Sequence, residues 1–220
     1  MGRRSRDAAA GTVTTGGGRR RPGPALTICL AFGAGSVPFS QLAARAFAGA
    51  DLRRVGTGTV SGTGLYEVAG FGPLALAGFF EMAKGAVGPA VAGRRRPWLA
   101  AAATAAALSA HNWSPWLGGA GGRGIAPALG ATAVVAPEAT GMLLVGMVGG
   151  RLAHRSGVAT LAAVASLVPL LGRRGAPGVA LALAVALPMV VKRLAGNRPA
   201  TGSDRRAILR SRLLFDRDPT

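Results

Sequence analysis

Long apolar runs, separated by short polar and glycine-rich stretches, dominate this chain. The runs are continuously apolar and do not alternate, which predicts helices rather than the strands of a barrel. They cover 24–47, 68–92, 97–111, 125–135, 137–153, 157–171 and 176–194. Polar loops fall at 48–66 and 112–124, Arg94 to Arg96 closes the second run, and 172–175 forms a turn. Ala136-Pro137 divides the fourth run from the fifth, because proline inside a helix removes a donor and collides with the preceding turn. The expected fold is all-α, a polytopic membrane protein of about seven transmembrane helices. Several runs fall short of the roughly 20 residues of a full crossing, which predicts a thin or partly sunken bundle. The expected organisation is a disordered basic tail over 1–23, a membrane domain over 24–194, and a basic tail over 195–220.

Composition strengthens the membrane reading. Only 15% of the 220 residues are charged, against about 25% in a soluble domain, and the mean hydropathy is +0.36. The net charge is +18, from 26 Lys and Arg against 8 Asp and Glu. Such a charge fits nucleic acid in a soluble protein. Beside apolar spans it fits anionic lipid headgroups or an anionic substrate instead. An N-terminal signal peptide, read from Arg19 to Arg21 and the following apolar residues, is disfavoured because the run continues past Pro38 without a cleavage site. The spans put the loops near Arg45–Arg54 and Arg123 on the side richer in Lys and Arg, which the positive-inside rule assigns to the cytoplasm. The arginines of the N-terminal tail oppose that assignment.

Three constellations carry candidate chemistry. The first is Arg45, Asp51, Arg53, Arg54 and a Gly-Thr-rich loop containing Gly56, Gly58, Gly62 and Gly64. Free backbone N–H groups in such a loop converge on anions, threonine hydroxyls such as that of Thr63 add donors, and guanidinium groups make forked bonds to phosphate. A flexible loop with solvated arginines is the plainer alternative. The second is His111 followed by Trp113, Trp116 and Gly121-Gly122-Arg123-Gly124 at the start of a helix. A helix N-terminus binds anions through its N–H groups and dipole, and a histidine titrates near neutrality. The alternative is an interfacial histidine beside belt tryptophans. The third is Glu81 and Lys84, whose i,i+3 spacing places them on one helix face within a span. Charges there are costly, so they mark either function or a mutually neutralising structural pair. Glu138 reads as an acid at a helix start. The single cysteine, Cys29, allows no intrachain disulfide. No cysteine-based or other metal cluster, hydrolase triad order, Walker loop or dinucleotide fingerprint is present in the sequence, so neither metal nor cofactor is expected.

Taken together these motifs resemble the bacterial acyl-phosphate glycerol-3-phosphate acyltransferases, a seven-span membrane family. The resemblance covers Gly35 to Pro169. It rests on Gly35-Ser36-Val37-Pro38, on Asp51-Leu52-Arg53 followed by the loop Gly56 to Gly64, on Glu81-Met82-Ala83-Lys84-Gly85, and on His111 with Gly121-Gly122-Arg123-Gly124 ten residues later. There are departures. Thr59 and Gly64 stand where the family has asparagines, and Ala120 and Arg123 stand where it has lysines. Pro115 is displaced, the serine-rich late motif is only echoed at Ser156 to Thr160, and the tail pattern does not align cleanly with Lys192 to Asn197.

The resemblance implies transfer of an acyl group from acyl phosphate to glycerol 3-phosphate, giving lysophosphatidate for phospholipid biosynthesis. The partners it implies are those two substrates and the lipids of the cell membrane, with no nucleic acid. On this reading His111 and Ser36 are the candidate catalytic residues. Arg45, Arg53, Lys84 and Arg123 bind substrate phosphate, helped by Gly56, Gly58, Thr63, Gly121, Gly122 and Gly124. A degenerate homologue that binds lipid phosphates without turnover, or a small-solute transporter, are the alternatives.

Overall fold

Proline and glycine decide where the apolar runs break. The computed structural model describes residues 21–197 and 205–215. The expected N-terminal tail therefore lies, except for 21–23, outside the described residues. Ten α-helices and no strand occur among the described residues: α1 Pro24–Ser36, α2 Phe39–Ala48, α3 Gly62–Ala69, α4 Phe71–Ala92, α5 Pro97–Asn112, α6 Ile125–Val135, α7 Pro137–Leu152, α8 Ser156–Gly172, α9 Ala176–Ala195 and α10 Arg205–Phe215. Helices α1, α5, α7 and α9 carry proline in their first two positions, where its fixed φ suits the helix and its missing N–H costs nothing.

The boundaries differ from the sequence pattern in three places. The first run is two helices, broken where extended Val37 precedes Pro38, since the residue before proline is forced out of the helical region. The polar loop expected over 48–66 contains the start of α3, capped by the Ser61 hydroxyl accepting from the Gly64 N–H at 3.2 Å. Gly70, with φ of 80°, then separates α3 from α4, so the second run is not one helix. The basic tail holds α10, packed against α8 and α9.

Three segments are long and apolar enough to cross a membrane: Pro24–Ala48, Phe71–Ala92 and Ala176–Ala195. Ile125–Val135 and Ser156–Gly172 are shorter apolar helices. Phe71, Phe79, Trp98, Val145, Leu152 and Leu187 are all exposed. So much large apolar surface turned outward is the surface of a protein solvated by lipid.

Small residues bring the helices together. An added Cβ on Gly85 would collide with the backbone of Pro127, and one on Gly130 with the backbone of Met82, so α4 and α6 pack main chain against main chain. The main core joins α5 through α9 around Leu108, Leu129, Leu143, Leu167 and Val185. A second cluster contains Leu52, Val60, Leu65 and Leu117. It lies beneath both polar loops and anchors them at one end of the bundle. At the opposite end, Arg94 Nε donates to Val134 O at 3.0 Å and Arg174 Nη1 to Val135 O at 2.7 Å. These arginines satisfy the last carbonyls of α6, which have no partner within their own helix.

Candidate active site

Two loops distant in sequence form one surface. The Val60 N–H donates to Gly121 O at 3.2 Å. Asn197, just past α9, joins both: its Nδ2 donates to Gly58 O at 2.9 Å and Gly121 O at 2.8 Å, and its Oδ1 accepts from the Gly121 N–H at 3.2 Å. The second loop is itself folded tightly, with a 3-10 turn over Pro115–Leu117 and the Ser114 N–H donating to Ala120 O at 3.1 Å. The end of α5 is held to α9 by Asn112 Nδ2 donating to Pro188 O at 2.7 Å.

This packing explains the glycines of the second loop. A Cβ on Gly121 would strike the His111 and Asn112 carbonyls, and one on Gly122 would strike the His111 ring and approach Val60 O to 2.8 Å. Gly124, at φ of 80°, is the residue before α6, and no side chain caps that helix start. Its N-terminal end is therefore left to be satisfied from outside the helix.

Glu81 is the hub of a buried polar cluster. One carboxylate oxygen accepts from the Ser40 N–H at 3.0 Å and the Ser40 hydroxyl at 3.2 Å. The other faces Lys84 Nζ at 2.6 Å and His111 Nδ1 at 3.1 Å. Lys84 also donates to Val37 O, at the break between α1 and α2. One buried carboxylate thus ties together α2, α4 and α5, and the His111 Nδ1 contact directs the opposite ring nitrogen towards Gly122. Buried charges are tolerated only when paired and hydrogen-bonded in this way.

A groove of about 1940 Å³ opens beside this cluster. At one end it is lined by Gly56, Thr57, Thr59, Thr63, Glu81, His111, Arg123 and Gly124. Arg123 Nη2 donates to the Thr59 hydroxyl at 3.4 Å, and the Thr57 hydroxyl donates to the same atom at 3.1 Å. Towards α7 and α8 the lining combines apolar Met147, Val148, Leu152, Leu161 and Val164 with Arg151, His154 and Arg155 around the turn between the two helices. The groove therefore joins polar, cationic loops to a helical face that offers apolar surface edged by arginines.

The remaining residues singled out from the sequence sit differently. Arg53 and Asp51 form an ion pair at 2.6 Å, with Arg45 at 3.7 Å from the same carboxylate. The hydrogen bond from Arg53 holds the Asp51 carboxyl well below the usual carboxylate range, and Asp51 in turn raises the Arg53 guanidinium. Neither Arg45 nor Arg53 lines the groove. The Ser36 hydroxyl donates to Gly33 O at 2.7 Å and accepts from Trp116 Nε1 at 3.0 Å, which places it in the joint between α1 and the second loop. Lys84, Gly58, Gly121 and Gly122 lie behind the groove wall and do not line it. Among the described residues no group of three or more His, Cys, Asp or Glu could hold a metal ion.

Sequence reasoning did not single out Ser40 and Asn197. Ser40 is one serine in an amphipathic stretch. Asn197 follows a basic helix end, and its role depends on contacts with residues far away in sequence.

A lipid-solvated helical bundle whose glycine loops border an arginine-lined groove defines a class: a polytopic membrane protein with a candidate anion site. Similarity to known proteins narrows the class. The family model described as glycerol-3-phosphate acyltransferase matches residues 25–198, and the chain belongs to that family. The glycerol-3-phosphate acyltransferase of Synechococcus sp. (strain JA-3-3Ab) is 32% identical over 187 residues, covering 84% of this chain and 87% of the relative. A Thermus thermophilus glycerol-3-phosphate acyltransferase is 36% identical over 106 residues, covering 47% of this chain. That alignment spans about half of the Thermus protein, 53%. The crystal structure of PlsY (YgiH), an integral membrane glycerol 3-phosphate acyltransferase, in its glycerol 3-phosphate form shares the fold. Its TM-score is 0.71 at 23% identity, covering 77% of this chain and 88% of that one.

Proposed function

We propose that this protein transfers the acyl group of an acyl phosphate to a hydroxyl of glycerol 3-phosphate, giving 1-acyl-glycerol 3-phosphate and inorganic phosphate. The observation that carries this reading is a groove that holds cationic groups and apolar surface together. Both substrates bear phosphate and one bears an acyl chain, so the site must offer both cationic groups and apolar surface. Arg123, the threonines around it and the uncapped start of α6 supply the first. Met147, Val148, Leu161 and Val164 of α7 and α8 supply the second.

The reaction forms a bond from the glycerol oxygen to the acyl carbon and breaks the bond from that carbon to the phosphate oxygen. The hydroxyl proton leaves with the phosphate or passes to His111. An acyl phosphate is already activated, so positioning and charge stabilisation suffice and no acyl-enzyme is needed. In this reading Arg123 and the Gly124 backbone bind phosphate, with Gly56 and Thr63 opposite, and Gly58, Gly121 and Gly122 hold the two loops together from behind. Glu81 holds His111 with one ring nitrogen fixed. Lys84 and Ser36 support the loops from behind, and Arg45 and Arg53 form a cationic approach at the loop surface. The protein sits in the plasma membrane with the loop end facing the cytoplasm, where the bulk of the loop arginines favour it.

The test is turnover by the purified protein in detergent. With long-chain acyl phosphate and glycerol 3-phosphate, lysophosphatidate and phosphate should appear in equal amounts. A folded preparation that yields neither product would refute the proposal.

A further inference from the structure

Helix α10 lies beyond the segment matched by the family, which ends at 198, yet it is clasped to the site by two arginines. Arg212 is buried, and its Nη1 donates to Leu194 O at 3.2 Å and Ala195 O at 2.8 Å. Those are the last carbonyls of α9, unpartnered within their helix and favourable to a cation. Arg193 returns the contact, its Nε donating to Arg212 O at 3.0 Å. The chain then turns at Gly196, at φ of 66°, where a Cβ would lie 2.9 Å from the Arg212 guanidinium carbon. The next residue is Asn197, which joins Gly58 to Gly121. Ser211 and Leu214 of α10 also line the groove.

We infer that Arg212 is a positioning residue for the two glycine loops. By holding the last turn of α9 it fixes Asn197, and Asn197 fixes the loops. A helix end left to itself frays, and its opening costs far less than global unfolding. A guanidinium that bridges two carbonyls through one nitrogen and fills the turn at Gly196 with its plane prevents this. A lysine ammonium can reach the two carbonyls but lacks the planar group that fills the turn at Gly196. The kinetic part of this inference rests on the proposed acyltransferase reading, whereas the structural part does not.

The experiment uses the full-length protein in detergent with Arg212→Ala, Arg212→Lys, Asn197→Ala and the Arg212→Ala/Asn197→Ala double variant. Exposed Arg206 on the same helix serves as a control through Arg206→Ala. Amide hydrogen exchange in 55–61 and 118–124 should rise about ten-fold or more in Arg212→Ala, while the middle of α5 is unchanged. The value of kcat/KM should fall by about ten-fold or more, with Arg212→Lys recovering only part and Arg206→Ala matching the parent. In the Asn197→Ala background, Arg212→Ala should add less than about two-fold, because both act through one link.

Unchanged loop exchange, or fully additive losses in the double variant, would overturn the inference. If the parent has no turnover, the exchange measurement alone decides. If Arg212→Ala does not fold, Arg212→Lys is read by the same exchange measurement, and loop protection equal to the parent's overturns the inference.

Discussion

The two ends of α6 carry the same kinds of residue and do opposite things. At its C-terminal end Arg94 and Arg174 donate to Val134 and Val135 carbonyls, and Arg174 is paired with Glu138 at 2.6 Å. That end is closed by the protein's own side chains. At its N-terminal end Gly124 leads into the helix with no side-chain cap, and Arg123 faces the groove beside Thr59. The physical difference is helix polarity. A C-terminal end presents carbonyls, which arginine satisfies. An N-terminal end presents N–H groups, which arginine cannot satisfy, so arginine and helix end together attract an anion. Arginine and glycine content alone therefore says little about function; which end of a helix they meet says more.

The strongest way to break the comparison is to put a side chain into the open end. Gly122→Ala would push its Cβ into the His111 ring and towards Val60 O, separating the two loops. A misplacement on the order of 1 Å near reacting groups costs about 100-fold, so kcat/KM should fall at least that far. Steady-state kinetics on the folded fraction check this, and near-parental rates would mean that the loop does not shape the site.

Exchanging the arginines tests the contrast directly. Arg123→Ala should lower kcat by about 100- to 1000-fold, the usual loss when one charge-stabilising donor is removed, with the melting temperature in detergent unchanged. Arg94→Ala should leave kcat/KM unchanged and cost at most about 1 kcal/mol of stability, since it removes one exposed hydrogen bond. Equal losses of activity in the two variants would erase the distinction between the ends.

The smallest effect concerns the surface of the first loop. Arg53 holds the Asp51 carboxyl low, chiefly through their hydrogen bond. A lowered folded value means that the pair stabilises the loop above the ordinary carboxylate value, and that this contribution is lost as pH falls through the lowered one. Loop protection in hydrogen exchange should therefore weaken as pH drops below about 4. Asp51→Asn should be slightly less protected at neutral pH and flat through the acid window. A variant that retains the parental acid response would assign it to another group.

Much of the helical plan was legible in the sequence. The runs at 97–111, 125–135, 157–171 and 176–194 match α5, α6, α8 and α9 to within one residue at each end, because long apolar runs bounded by Gly, Pro and Arg leave few alternatives in lipid. The helix at 62–69 was hidden, because its first turn is Gly-Thr-Gly and glycine lowers any helical expectation. What permits it is the Ser61 cap and the burial of Leu65. The site was legible as separate pieces. Glu81 and Lys84 could be paired from their spacing, and the two glycine loops could be recognised as anion-binding material.

By itself, the sequence determined an all-helical membrane protein, many of the places where its helices end, and the residue types suited to an anion. These follow from local rules: apolar run length, proline geometry and charge. Only the tertiary structure decided that His111 shares one carboxylate with Lys84, that Asn197 ties Gly58 to Gly121, and that arginines from other segments seal the C-terminal end of α6 while its N-terminal end stays open to the groove. Those outcomes depend on which helix ends meet in space, and contacts between distant segments leave no period or spacing to read along the chain.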